Sequence, residues 1–191
     1  MTHIILASAS PRRRELLARI GIDPEIVPSS VEEKITGSTP EEIVCSLAAQ
    51  KCRDVASRQK GDAIVIGADT IVTLDGEILG KPSDEMDAVR MLRELQGRTH
   101  EVYTGVTLIR TEAGKISSEE TFAEKTDVCV APMTEEEIGC YVKSLEPMDK
   151  AGAYGIQGLF AKHISGISGD YFNVVGLPLC RLWNVLKNYD V

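Results

Sequence analysis

The chain has 191 residues, 43% hydrophobic and 26% charged, enough for one globular domain with a core of its own. Its formal charge of −8 excludes a protein that coats nucleic acid or an anionic membrane, since those surfaces call for a basic face. A small anionic ligand in a local basic cleft stays open.

Taken in chain order, Ile4 to Ala7 reads as a short apolar strand. Ser10-Pro11 then starts a helix, serine as N-cap and proline at the first helical position, with Leu16, Leu17 and Ile20 facing inward and Gly21 ending it. Thr39-Pro40-Glu41-Glu42 is a capping box that opens a second helix, along which Ile43, Val44, Leu47, Ala48 and Val55 recur at helical spacing. Ala63 to Gly67 predicts a buried strand. Thr70 to Leu74 and Glu77 to Leu79 flank Asp75-Gly76, a hairpin turn.

Ser83 is expected to open a helix that closes near Gly97. Tyr103 to Arg110 and Thr121 to Val130 read as two long strands joined through the turn around Gly114. Thr134 to Glu137 is another capping box, starting a helix that ends near Ser144. Glu146 to Gly158 is loop-like, and a last helix runs from Pro178 to Asn188. Strands alternating with helices predict an α/β fold, a mixed central sheet flanked by helices. The expectation is a single domain over residues 1–191, pinched into two lobes with a cleft between them.

The five cysteines include no C-x-x-C pair, which suits reduced, mostly buried thiols better than a disulfide framework or a zinc site. No apolar run approaches the roughly 20 residues that span a bilayer. At the N-terminus Arg12 to Arg14 follow the apolar stretch instead of preceding it, unlike a secretory signal, so a cytoplasmic protein is expected.

Five segments could carry chemistry. In Ser8-Ala-Ser10-Pro-Arg12-Arg13 two hydroxyls and two guanidiniums meet at a strand-to-helix junction, where free amides and the helix dipole favour an anion. The plain alternative is a serine cap with a solvated basic turn. Asp69 sits in the apolar run Ile64 to Thr73 and needs a metal, a cation or dense hydrogen bonding; Glu32 or Glu33 could supply a second carboxylate. The plain alternative is a structural Asp that caps the strand end or starts a turn. Lys51 lies on the apolar face of its helix, so its ammonium either snorkels out or meets an anion, and Lys81-Pro82 returns a second cation after the hairpin. Asp149 to Gly158 is glycine-rich and holds Gln157, whose amide can read a base edge, unless the stretch is simply a structural loop. Gly169 to Asn173 could line a cleft or form a turn. A G-x-x-x-x-G-K-S/T phosphate loop, a G-x-G-x-x-G fingerprint, H-E-x-x-H and a G-x-S-x-G elbow are all missing from the sequence.

The segments L-A-S-A-S-P-R-R (Leu6 to Arg13), G-A-D-T-I-V (Gly67 to Val72), G-K-P (Gly80 to Pro82), D-K-A-G-A-Y-G-I-Q-G (Asp149 to Gly158) and N-V-V-G-L-P-L (Asn173 to Leu179) run from end to end of the chain. Together they resemble the Maf family of nucleotide pyrophosphatases, whose fold is similar to that of the inosine triphosphatases. The resemblance implies a nucleotide in the cleft, a divalent metal (Mg²⁺ or Mn²⁺), a homodimer and a link to septum formation. It also implies that Asp69 is the proton acceptor, and that Arg12, Thr70 and Gln157 choose the substrate as in the subgroup acting on dTTP and UTP. Ser8, Ser10, Arg13, Lys51 and Lys81 would hold the triphosphate; Glu33 and Asp69 would hold the metal. Whether Asp69 is base or metal ligand stays open. So do two other readings, a non-catalytic nucleotide-binding regulator of septum formation and a pyrophosphatase for methylated guanosine triphosphate.

Overall fold

The structure, a computed structural model, describes residues 3–189. Its elements in order are β1 (Ile4–Leu6), α1 (Pro11–Arg19), β2 (Glu25–Ile26), α2 (Pro40–Ala56), β3 (Ala63–Leu74), β4 (Glu77–Leu79), α3 (Glu85–Leu95), β5 (Thr99–Glu112), β6 (Lys115–Val130), α4 (Glu135–Lys143), β7 (Ile164–Ser168), α5 (Tyr171–Val175) and α6 (Leu179–Leu186). The strands form one sheet in the order β2-β1-β3-β5-β6-β7, with β4 paired to β3. Strand β1 pairs in parallel with β2 and β3, whereas β3–β4 and β6–β7 are antiparallel. The sheet is therefore mixed, as the alternating pattern predicts. The chain falls into two compact units: one holds the residues up to Asp69, Thr104–Glu124 and those from Gly176 onward, and the other holds Thr70–Tyr103 and Lys125–Val175.

In the first unit α2 lies directly on the sheet. Its predicted apolar face is buried, Ile43, Val44, Leu47, Ala48 and Val55 among it, and its N-terminus carries both bonds of the Thr39/Glu42 capping box. Two glycines allow the close approach. A Cβ on Gly67 would stand 2.6 Å from the Ala48 carbonyl, and one on Gly105 would stand 2.3 Å from that of Val44. Gly67 is thus a notch for the helix and not the end of a strand. For that reason β3 runs unbroken through Asp69, where two separate strands were expected, and Asp69 lies within a strand instead of at a turn.

In the second unit the Asp75-Gly76 turn has φ values of 53° and 84°, the two left-handed residues that a tight hairpin requires. The N-cap of α3 is Asp84, which accepts the Asp87 N–H at 2.8 Å, and not the predicted Ser83. Ser83 instead donates its N–H to the Asp87 carboxylate at 3.0 Å. The Thr134/Glu137 capping box is present. Behind α4 an aromatic group packs Tyr141, Tyr154 and Phe160 with His100 and His163. His100 Nε2 meets the Tyr154 hydroxyl at 2.8 Å, while its buried Nδ1 has no hydrogen-bond partner among the described residues.

The cysteine expectation needs correction. All five are free, but Cys52 alone is buried; Cys45 and Cys129 are half-buried, and Cys140 and Cys180 are exposed. No helix among the described residues is long and apolar enough to cross a membrane.

Two outcomes follow from this packing. Gly67→Ala or Gly105→Ala should lower stability by about 1–3 kcal/mol in urea titrations, because the new methyl meets helix backbone; unchanged midpoints would mean that α2 does not depend on the notches. Burial also pushes the His100 pKa from 6.5 down to about 4. Between those values the unfolded chain binds a proton that the folded chain does not, so the stability from neutral His100 is complete above pH 6.5 and drains away as pH falls toward 4. The loss should reach roughly 3 kcal/mol. Unfolding free energies of wild type and His100→Leu across this range should diverge in slope, the wild type being steeper; parallel slopes would contradict the assignment.

Candidate functional site

The chain leaves β1 through Ala7-Ser8-Ala9 and enters α1 at Ser10-Pro11. Ser10 holds the N-cap position without a side-chain cap bond. Ser8 shapes the turn instead: its Oγ accepts the Ser10 N–H at 3.2 Å and Arg13 Nη1 at 3.1 Å. Arg13 Nε donates to the Gly176 carbonyl at 2.9 Å, folding the guanidinium back over the turn. Burial lowers the Arg13 pKa from its ordinary value; Asp69 opposes that shift, Arg12 adds to it and Glu33 again opposes it. No acidic residue occupies the first turn of α1. Arginines at a helix N-terminus oppose the dipole, and a bound anion would relieve both that conflict and the Arg12–Arg13 repulsion.

Lys51, in the middle of α2, meets its anions inside instead of snorkelling outward. Its Nζ lies 2.6 Å from Asp69 Oδ1 and 3.0 Å from Glu33 Oε1. The Lys51 and Asp69 side chains are only 16% and 14% exposed, so removing either partner would strand a charge in poor solvent. Glu33 is more open, at 48%.

What holds Glu33 there is a polar stripe on α2. Glu42, Ser46, Gln50 and Asp54 recur every fourth residue, hence on one face of the helix. Each takes hold of the irregular segment before α2. Asp54 Oδ2 accepts the Ser29 hydroxyl at 2.8 Å and the Ser30 N–H at 3.0 Å. The Gln50 amide accepts the Lys34 N–H at 2.9 Å and donates to the Lys34 carbonyl at 2.8 Å, a two-point clamp on the residue beside Glu33. Ser46 bonds Thr36, and Glu42 accepts the Ser38 N–H at 2.7 Å. Sequence reasoning did not single out this stripe, although its i, i+4 spacing was visible.

Ser8, Ser10, Arg12, Arg13, Glu33, Lys51 and Asp69 all belong to the first unit; Thr70, Lys81 and Gln157 belong to the second. Thr70 is half-buried, while Lys81 and Gln157 are exposed. The turn that carries Lys81 is tied to the glycine-rich loop, since the Gly80 carbonyl accepts the Gly152 N–H at 3.0 Å. Gly152, at φ 68°, packs where a Cβ would meet Val72 at 2.9 Å. Asp170 turns out to be a turn former, accepting the Phe172 N–H at 2.7 Å, and Asn173 donates to Val102 O at 3.0 Å and Thr126 Oγ1 at 2.9 Å.

Among the described residues no group of three or more His, Cys, Asp or Glu side chains could hold a metal. Two carboxylates do converge on one cation, the Lys51 ammonium. That donor set fits Mg²⁺ or Mn²⁺, which commonly take one or two carboxylates and complete their shell with water and substrate phosphate. It does not fit a zinc cage.

The sequence model of the Maf-like proteins matches residues 3–189. The chain belongs to that family. A dTTP/UTP pyrophosphatase of Agathobacter rectalis is 51% identical across all of this chain and 99% of its own length. One of Bacillus cereus is 54% identical across all of this chain and 97% of its own. Among solved structures, a HAM1 protein from Coxiella burnetii aligns with 98% of this chain and 100% of its own at a TM-score of 0.55 and 16% identity, a likeness of fold alone. The Gln50 clamp is testable by itself. Gln50→Ala should raise the exchange rate of the Lys34 amide about tenfold, the effect of losing one hydrogen bond of ordinary strength. Unchanged protection in hydrogen-exchange mass spectrometry would show that the segment is held by other means.

Proposed function

We propose that this Maf-family chain is a cytoplasmic pyrophosphatase, one catalytic domain over residues 1–191 acting as a homodimer. It hydrolyses dTTP and UTP to the monophosphate and pyrophosphate with a divalent metal. Neither nucleic acid nor membrane is a partner in this reading. The observation that carries it is the Lys51 ammonium between Asp69 and Glu33, in the same unit as Arg13 and the Ser8-Ser10 turn. Choice of base is supported by the full-length relatives named for dTTP and UTP.

In the proposed mechanism Arg12, Arg13 and the hydroxyls of Ser8 and Ser10 bind phosphate oxygens, with planar guanidiniums suited to paired contacts. Lys51 and Lys81 neutralise charge that builds on the departing pyrophosphate. Asp69 takes the proton of a water that attacks the α-phosphorus in line. The bond from water oxygen to phosphorus forms as the bond from phosphorus to the bridging oxygen breaks, and the electron pair leaves with pyrophosphate. Before substrate binds, Lys51, hydrogen-bonded to Asp69, holds the accepting carboxylate in place. Asp69 and Glu33 would hold a Mg²⁺ or Mn²⁺ ion, which when bound supplies Lewis-acid charge to the phosphate oxygens. Arg12, Thr70 and Gln157 choose the substrate, a role that rests on the motif resemblance.

Product analysis with a panel of nucleoside triphosphates should give monophosphate and pyrophosphate from dTTP and UTP, lost on chelation. Diphosphate and orthophosphate would overturn the point of attack, and binding without turnover would favour a non-catalytic regulator. Asp69→Asn should keep the fold and lower kcat by at least about 100-fold, as expected for loss of a positioned general base. Near-normal turnover would remove Asp69 from the chemistry.

A further inference from the structure

Gln157 stands in a turn whose two ends are held through one carboxylate, that of Glu146. This residue follows Leu145, which ends the α4 region at φ 62° and turns the chain sharply. Tyr141, buried on α4, donates its hydroxyl to Glu146 Oε1 at 2.9 Å and accepts the Gly155 N–H at 3.2 Å. On the other side the Leu159 N–H donates to Glu146 Oε2 at 2.9 Å. The two anchors therefore fall two residues before and two residues after Gln157. Between them the Gly158 N–H closes on the Gly155 carbonyl at 3.2 Å.

Gly158 is part of the same device. A Cβ there would lie 2.3 Å from Glu146 Oε1, so the carboxylate fills the space that a side chain would take. The backbone of Glu146 is fixed in turn, its carbonyl accepting Lys150 Nζ at 2.7 Å. Burial holds the Tyr141 phenol above its ordinary range, which keeps it a donor at neutral pH. None of these bonds uses the exposed amide of Gln157, which stays available to a ligand.

An amide offers one donor and one acceptor, and it discriminates bases only if its position is fixed relative to them. Thymine and uracil present N3–H beside O4, and cytosine presents the reverse order. A turn pinned at both ends fixes the backbone from which the amide reaches the base edge, whereas a slack turn would let it shift to suit either pattern. We infer that Glu146 is the positioning residue for Gln157, and through it for the choice of base; this rests on the proposed base-reading role of Gln157.

The test is the ratio of kcat/KM for dTTP to that for CTP, ATP and GTP, measured with Mn²⁺ on wild type and variants, with melting temperatures to report folding. Gln157→Ala and Glu146→Ala should each lower discrimination about tenfold, the size of one base-reading hydrogen bond. The double variant should be no worse than Gln157→Ala alone, because the two act as one unit. Gly158→Ala, which displaces the carboxylate, should act in the same direction. Glu146→Gln, left with an acceptor for only one of the two anchors, should fall between wild type and Glu146→Ala, and it serves where the alanine variant does not fold. If Gln157→Ala erodes discrimination while the Glu146 and Gly158 variants slow every nucleotide by one factor, Glu146 is merely structural and the inference fails alone. If Gln157→Ala leaves the profile unchanged, the base-reading role falls and the inference falls with it.

Discussion

A lysine ammonium shared by two carboxylates is the contact around which the candidate site of the first unit is built. Lys51 belongs to a helix face that is otherwise apolar, and Asp69 to a strand flanked by buried β-branched residues. Alone, either charge would be costly in such surroundings. Paired at 2.6 Å, with Glu33 at 3.0 Å, they form a small island of charge, which in the proposed function a metal–phosphate ligand enters by exchanging partners. An ion pair that gains new partners from a ligand gives binding a ready outlet without unpaired groups in the empty protein.

The island exists because α2 serves in three ways at once. Its apolar face presses onto the sheet at two glycines, which sets the height of Lys51 above β3. Its polar stripe, Glu42 to Asp54, lays the irregular segment along the helix and delivers Glu33. Its capping box fixes where the helix starts, and so the register of both faces. Irregular segments seldom place side chains accurately by themselves; here the helix does so through bonds to the segment's backbone. The second unit uses the same means with other residues. Glu146 and Tyr141 bond the backbone on both sides of Gln157, and Gly152 bonds that of Gly80.

Much of this was legible beforehand because it depends on local chemistry. The capping boxes at Thr39 and Thr134, the Asp75-Gly76 hairpin and the apolar periodicity of α2 are short-range signals, and each appears where expected. Lys51 could be marked as anomalous from its place on the apolar face, although nothing in the sequence said which anion it would meet. Glycine was the misleading residue. Gly67 reads as punctuation in one dimension, yet its missing Cβ makes room for a helix that comes from elsewhere in the chain. Ser83 and Asp84 exchange roles because a cap is chosen by backbone geometry as well as residue type. The α2 stripe and the Glu146 anchor went unread, since polar residues at helical spacing ordinarily signal a solvated face. Their partners include backbone groups distant in sequence, 13 residues away for Glu146 and Leu159 and 16 for Gln50 and Lys34.

The most direct test of the shared ammonium as the centre of the chemistry is a crystal structure with Mn²⁺ and a non-hydrolysable dUTP analogue, the metal located by its anomalous signal. The prediction is Mn²⁺ ligated by both Asp69 and Glu33, with Lys51 turned to a phosphate oxygen. Mn²⁺ bound elsewhere, with Lys51 still bridging the two carboxylates, would contradict it.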